Sequence, residues 1–80
     1  MSVPEVFLDA NVFFAAAKSP QGGSRFILEL ARGGNIKIFT VKYALLEAER
    51  NIDKKLGARY LVIYHNLLLE SAPRIQSISR

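Results

Sequence analysis

Eighty residues set the size of one small domain, which buries a smaller share of its surface than larger domains do. Half of them are hydrophobic and 22% are charged, a balance that excludes a disordered chain, and the absence of cysteine excludes disulfide staples and thiolate metal sites. The net charge of +4 comes from eleven Lys and Arg against seven Asp and Glu. Those bases are spread along the chain except for a cluster from Arg50 to Arg59. The pattern is compatible with RNA and equally with solvated helix faces.

No apolar run approaches the roughly 18 residues of a membrane span. The stretch Val12 to Ala17 is not read as a secretory signal, because Asp9 and Asn11 adjoin it and no basic residue precedes it. A cytoplasmic setting and no membrane partner are therefore expected. The apolar content exceeds what eighty residues comfortably hide, so a protein partner or a homodimer is expected too.

Val6-Phe7-Leu8 is a β-favouring run without polar alternation, the pattern of a central parallel strand covered on both faces. Asp9 ends it, and Asn11 stands where an N-cap would precede a helix from Val12 to Ala17. Ser19-Pro20-Gln21-Gly22-Gly23 is turn chemistry. Ser24 to Arg32 has Phe26, Ile27, Leu30 and Ala31 at helical spacing on one face, and Gly33-Gly34 stops it. Ile36 to Phe39 is a second strand, and Thr40 is a credible N-cap for a helix through Lys55. That helix has a buried stripe of Leu45, Ala48, Ile52 and Leu56, with Glu47, Arg50 and Lys54 on a different face. Gly57 breaks it. Ala58 to Ser71 reads as a helix apolar almost all round, hence buried on every side. Pro73 ends it, and Arg74 to Ile78 can form a third strand. The order β-α-α-β-α-α-β predicts a small three-stranded parallel sheet flanked by helices.

Two carboxylates stand out. Asp9 follows a buried strand and so emerges where open α/β sheets place their ligands, although capping the next helix is an equally ordinary role. Glu47 lies in mid-helix, where a solvated partner of Arg50 or Asn51 is the plain reading. If its helix packs beside the first strand, both acids face one cleft and repel one another unless a cation lies between them. Hard oxygen donors of this kind suit Mg²⁺ or Mn²⁺. His65 has no catalytic partner nearby in sequence and reads as a packed or surface histidine. Tyr43, Tyr60 and Tyr64 read as core. The Gly22-Gly23 and Gly33-Gly34 pairs lack the context of a phosphate loop.

Phe7-Leu8-Asp9-Ala10-Asn11-Val12-Phe13 resembles the opening of a PIN domain, a family of metal-dependent ribonucleases many of which are toxins of toxin–antitoxin pairs. The turn from Ser19 to Ser24, the helix after it, and Leu46-Glu47-Ala48-Glu49-Arg50-Asn51 resemble the next PIN elements in order. The resemblance covers nearly all of residues 1–80 but only the front half of such a domain, so the chain reads as one truncated PIN-like domain. It implies Asp9 and Glu47 as metal ligands, Asn11 as the residue that orients Asp9 or the attacking water, Mg²⁺ or Mn²⁺ as cofactor, RNA as substrate, and an antitoxin-like protein or a second copy as partner. The family's further acidic residues come from later elements, which implies weak or no activity for the chain alone. A non-catalytic module that binds through its apolar helix is the alternative.

Overall fold

A computed structural model of the chain describes residues 2–77. Three strands, β1 (Glu5–Phe7), β2 (Lys37–Val41) and β3 (Arg74–Gln76), form a parallel sheet in the order β1-β2-β3. Helices α1 (Ala10–Lys18) and α2 (Gly23–Arg32) join β1 to β2, while α3 (Lys42–Lys55) and α4 (Ala58–Ser71) join β2 to β3. The order β-α-α-β-α-α-β read from the sequence is the order of the fold. The last residue assigned to the third strand, Ile78, lies outside the described residues.

The helices form one layer in which α1 touches each of the other three, and α3 also rests on β2. They cover one face of the sheet. On that inner face Leu8, Ile38 and Thr40 are buried, whereas Glu5, Phe7 and Lys37 on the outer face are exposed. The core joins these inner residues to Phe13, Ala16, Ala17, Leu28, Ala48, Ile52, Tyr64 and Leu67. β1 is consequently an edge strand with one open face, not the doubly covered central strand its apolar run predicts. Phe7 is 49% exposed, resting beside Phe39 with ring centroids 5.5 Å apart.

Other local expectations shift for identifiable reasons. The N-cap of α1 is Asp9, not Asn11, because Asp9 keeps extended backbone while its carboxylate reaches two N–H groups of the first turn. Thr40 does not cap α3. It stays in β2 because its inward hydroxyl is used by the core, donating to the Leu8 carbonyl at 2.7 Å. In α2 the buried residue is Leu28, and Phe26 is exposed, because among the described residues α2 packs mainly on α1 and α4. α4 is not buried all round. Tyr64, Leu67 and Ser71 form its buried stripe, while Val62 (61%) and Leu69 (80%) face outward with no element over them among the described residues.

Two chain reversals need special backbone. Gly57, at φ +98°, starts α4 directly after α3, a conformation that side chains other than glycine's resist. Ala72 closes α4 in the left-handed region at φ 48°, ψ 58°, where a Cβ costs roughly 1–2 kcal/mol. Ala72→Gly should relieve that strain against a glycine entropy penalty, a net gain of about 0.5 kcal/mol. It should appear as a Tm higher by a few degrees in a thermal melt.

Candidate metal centre

β1 carries Leu8 into the core and releases Asp9 at the C-terminal end of the sheet. Two hydrogen bonds fix this point. Leu8 N–H donates to the Phe39 carbonyl at 2.9 Å, and Thr40 Oγ1 donates to the Leu8 carbonyl at 2.7 Å. The end of β1 is thereby tied to the end of β2, immediately before α3 begins. Asp9 then caps α1, its Oδ1 accepting N–H from Asn11 at 3.1 Å and from Val12 at 3.3 Å. The capping role is thus real. It engages only Oδ1, and among the described residues Oδ2 accepts no hydrogen bond. Asn11 is an exposed residue in the first turn of α1, where its backbone is committed to Asp9 and its side-chain amide makes no hydrogen bond to the described residues.

Glu47 is five residues into α3, so it lies about 7–8 Å along the helix axis from Lys42. The sequence assigned it to a free face with Arg50 and Lys54. Those two are exposed, but Glu47 is half-buried. It flanks the stripe Ala44, Ala48 and Ile52, which is buried because α3 packs on α1, the helix that Asp9 caps. Its carboxylate forms no ion pair among the described residues. Asp9 and Glu47 therefore belong to two helices in direct contact, and both of those helices start from the C-terminal end of the sheet.

The candidate donors are two carboxylates and one amide, all hard oxygen groups. No group of three or more His, Asp or Glu residues that could hold a metal ion occurs among the described residues. Two carboxylates of this kind would suit Mg²⁺ or Mn²⁺ only in the form that keeps several waters and takes one or two carboxylates from the protein.

The sequence missed three polar contacts. His65 is not alone: its Nε2 lies 3.0 Å from Glu49 Oε2 across the α3–α4 hairpin, an exposed pair that a separation of sixteen residues conceals. Arg25 Nε donates to the Ala16 carbonyl at 2.9 Å, satisfying one of the acceptors that the end of α1 leaves open. Tyr64 Oη donates to the Leu45 carbonyl at 2.9 Å. Burial, and after it the charge of Glu49, pushes the Tyr64 phenol up to about 12. Of the three tyrosines read as core, Tyr64 is buried and Tyr60 half-buried, but Tyr43 is 68% exposed because it points off the outer side of α3.

No protein-family model, curated protein or solved structure matches the chain. No helix among the described residues is long and apolar enough to cross a membrane.

Proposed function

We propose that the chain carries the front half of a PIN-like, Mg²⁺- or Mn²⁺-dependent endoribonuclease centre, weakly active or inactive alone and suited to a cytoplasmic setting. The observation that supports this reading is the placement of Asp9. Its carboxylate stands at a strand end, one oxygen held by α1 and the other unengaged, and α1 packs on the helix that bears half-buried Glu47.

In this reading Asp9 and Glu47 hold the cation and the cap on α1 keeps the Asp9 carboxylate from rotating. The amide of Asn11, which makes no hydrogen bond to Asp9, is left to orient the attacking water. When bound, the metal supplies an acidified water and neutralises charge developing at the scissile phosphate. Basic side chains such as Arg50 position the RNA backbone without reading its sequence. Two carboxylates leave the cation held mostly by waters and substrate, so binding is weak and turnover slow.

The test is a thermal melt across an Mn²⁺ titration. At tenfold excess over Kd the ion should stabilise the fold by about 1.4 kcal/mol, roughly 5–10 °C in Tm for a domain of this size. Asparagine caps a helix about as well as aspartate. Asp9→Asn should therefore melt within about 0.5 kcal/mol of the parent without metal and lose the Mn²⁺ response. An equal shift in Asp9→Asn, or none in the parent, sinks the proposal.

A second reading is a non-catalytic interaction module that binds an antitoxin-like protein or another copy through α4. The outward Val62 and Leu69 favour it. A Tm that rises with protein concentration and ignores metal would select it over the nuclease.

A further inference from the structure

Positive charge gathers at the edge of the molecule away from the candidate metal centre. α1 and α3 start at the C-terminal end of the sheet and run away from it, and the 14 residues of α3 carry its last turn about 20 Å from its first. At that far edge α1 ends with Lys18 and α3 with Lys54 and Lys55, and α4 begins with Arg59 in its first turn. Lys55 Nζ lies 5.7 Å from the centre of the Phe14 ring, and Lys18 follows Phe14 by one turn on the same face of α1. Arg25 joins them, its Nε held by the Ala16 carbonyl at 2.9 Å. Lys18, Lys54, Lys55 and Arg59 are exposed, and none forms an ion pair among the described residues. No acidic residue occurs from Ala10 to Leu28 or from Lys54 to Leu69, and only Asp53 adjoins one of these five bases in sequence. Helix dipoles favour bases at the ends of α1 and α3, but Arg59 stands where a base opposes the dipole, so helix stability does not account for it. Phe26, next to Arg25 in the first turn of α2, is 62% exposed.

We propose that this edge is a docking surface for single-stranded nucleic acid, remote from the metal centre and independent of any cation. Lys18, Lys54, Lys55 and Arg59 take successive backbone phosphates, and Phe26 offers a face on which an unpaired base stacks. Charge complementarity selects a polyanion. A lone exposed aromatic beside separate cations matches a ligand that alternates phosphates with flat bases, and stacking on it needs bases freed from a duplex. The contacts read the backbone and one base face, so binding is indifferent to sequence. The proposal does not rest on the nuclease reading, since it uses neither Asp9 nor Glu47. In a chain that also carries the metal centre, this surface holds the strand about the length of α3 away from it.

The test is fluorescence anisotropy with a labelled oligouridylate of about 12 nucleotides, in EDTA so that no metal takes part. The parent should bind with a Kd below ~100 µM at low salt, and log Kd should rise against log salt with a slope of about 3, as for four phosphates of a single strand. Lys55→Ala with Arg59→Ala, both exposed, should keep the parent's far-ultraviolet dichroism, weaken binding at least ~10-fold and lower the slope by about 1.4. Phe26→Ala should weaken binding ~10-fold and leave the slope unchanged, because stacking releases no counterions. Absence of binding by the parent overturns the proposal. So does an equal loss in Lys42→Ala with Arg50→Ala, which removes the same charge elsewhere on α3 and would move the strand to the metal centre, leaving the nuclease reading standing. Full binding by Phe26→Ala, or capture of phosphatidylserine vesicles as tight as that of the oligonucleotide, would replace the nucleic-acid surface with a general anionic one and overturn it too.

Discussion

Replacing Tyr64 by alanine should unfold a large fraction of the protein at ambient temperature. The side chain is among the largest of the fully buried ones, packed edge-on to Phe13 at 6.5 Å and anchored through its hydroxyl on the Leu45 carbonyl. It thereby joins α4 to both α1 and α3. Aromatic-to-alanine changes in a core cost about 3–5 kcal/mol, and a domain of this length holds little more than that in total. Urea denaturation should give a midpoint near zero denaturant, and a cost below about 1 kcal/mol would mean that Tyr64 is not part of the core. Tyr64→Phe separates the ring from its hydroxyl. It should cost about 1 kcal/mol for the lost hydrogen bond.

The same phenol gives a pH signature. Its folded value is raised to about 12, above the unfolded value near 10, so the folded state holds this proton more tightly. The resulting stability is fully present below pH 10 and is lost as the pH climbs from 10 to 12, by about 2 kcal/mol across that window. Denaturant midpoints measured through this range should fall faster for the parent than for Tyr64→Phe, which has no proton to lose. Parallel slopes would show that the phenol is not desolvated.

What the sequence disclosed and what it withheld divide along one physical line. Order and type of the elements were legible because glycine, proline and apolar periodicity act locally: Gly57 and Pro73 bracket α4, and Gly33-Gly34 closes α2. Asp9 was legible as a strand-end acid for the same reason. Whether a residue is covered depends on what lies across from it, which no local pattern encodes. Phe7, Val62 and Leu69 look like core and face outward, because among the described residues only one face of the sheet and one stripe of α4 receive a neighbour. The competition for Thr40 went likewise to a tertiary bond, since its hydroxyl serves the Leu8 carbonyl thirty-two residues away instead of an adjacent helix end. Glu47 is an intermediate case. Its position on α3 was readable, but its partial burial follows from α1 lying against the alanine stripe beside it.

That alanine stripe makes Ala48 the second sensitive point. Ala48 and Ala16 are both fully buried, and with Ala17 and Ala44 they let the α1 and α3 backbones approach closely. Ala48→Leu inserts three heavy atoms at a residue with no exposed surface. Overpacking of this kind costs typically 1–3 kcal/mol, and a residue with no exposed surface belongs at about the upper end. The relief available to the fold is to move α3 off α1, which carries Glu47 away from the helix that Asp9 caps. The variant should therefore combine a loss of about 3 kcal/mol in urea denaturation with a weakened Mn²⁺ response in whatever fraction stays folded. Leu46→Ala, on the exposed side of the same helix, should change stability by less than about 1 kcal/mol and leave the metal response intact. If Ala48→Leu lost stability but kept the full Mn²⁺ response, Glu47 would not be a ligand, and the carboxylate opposite Asp9 would have to come from elsewhere.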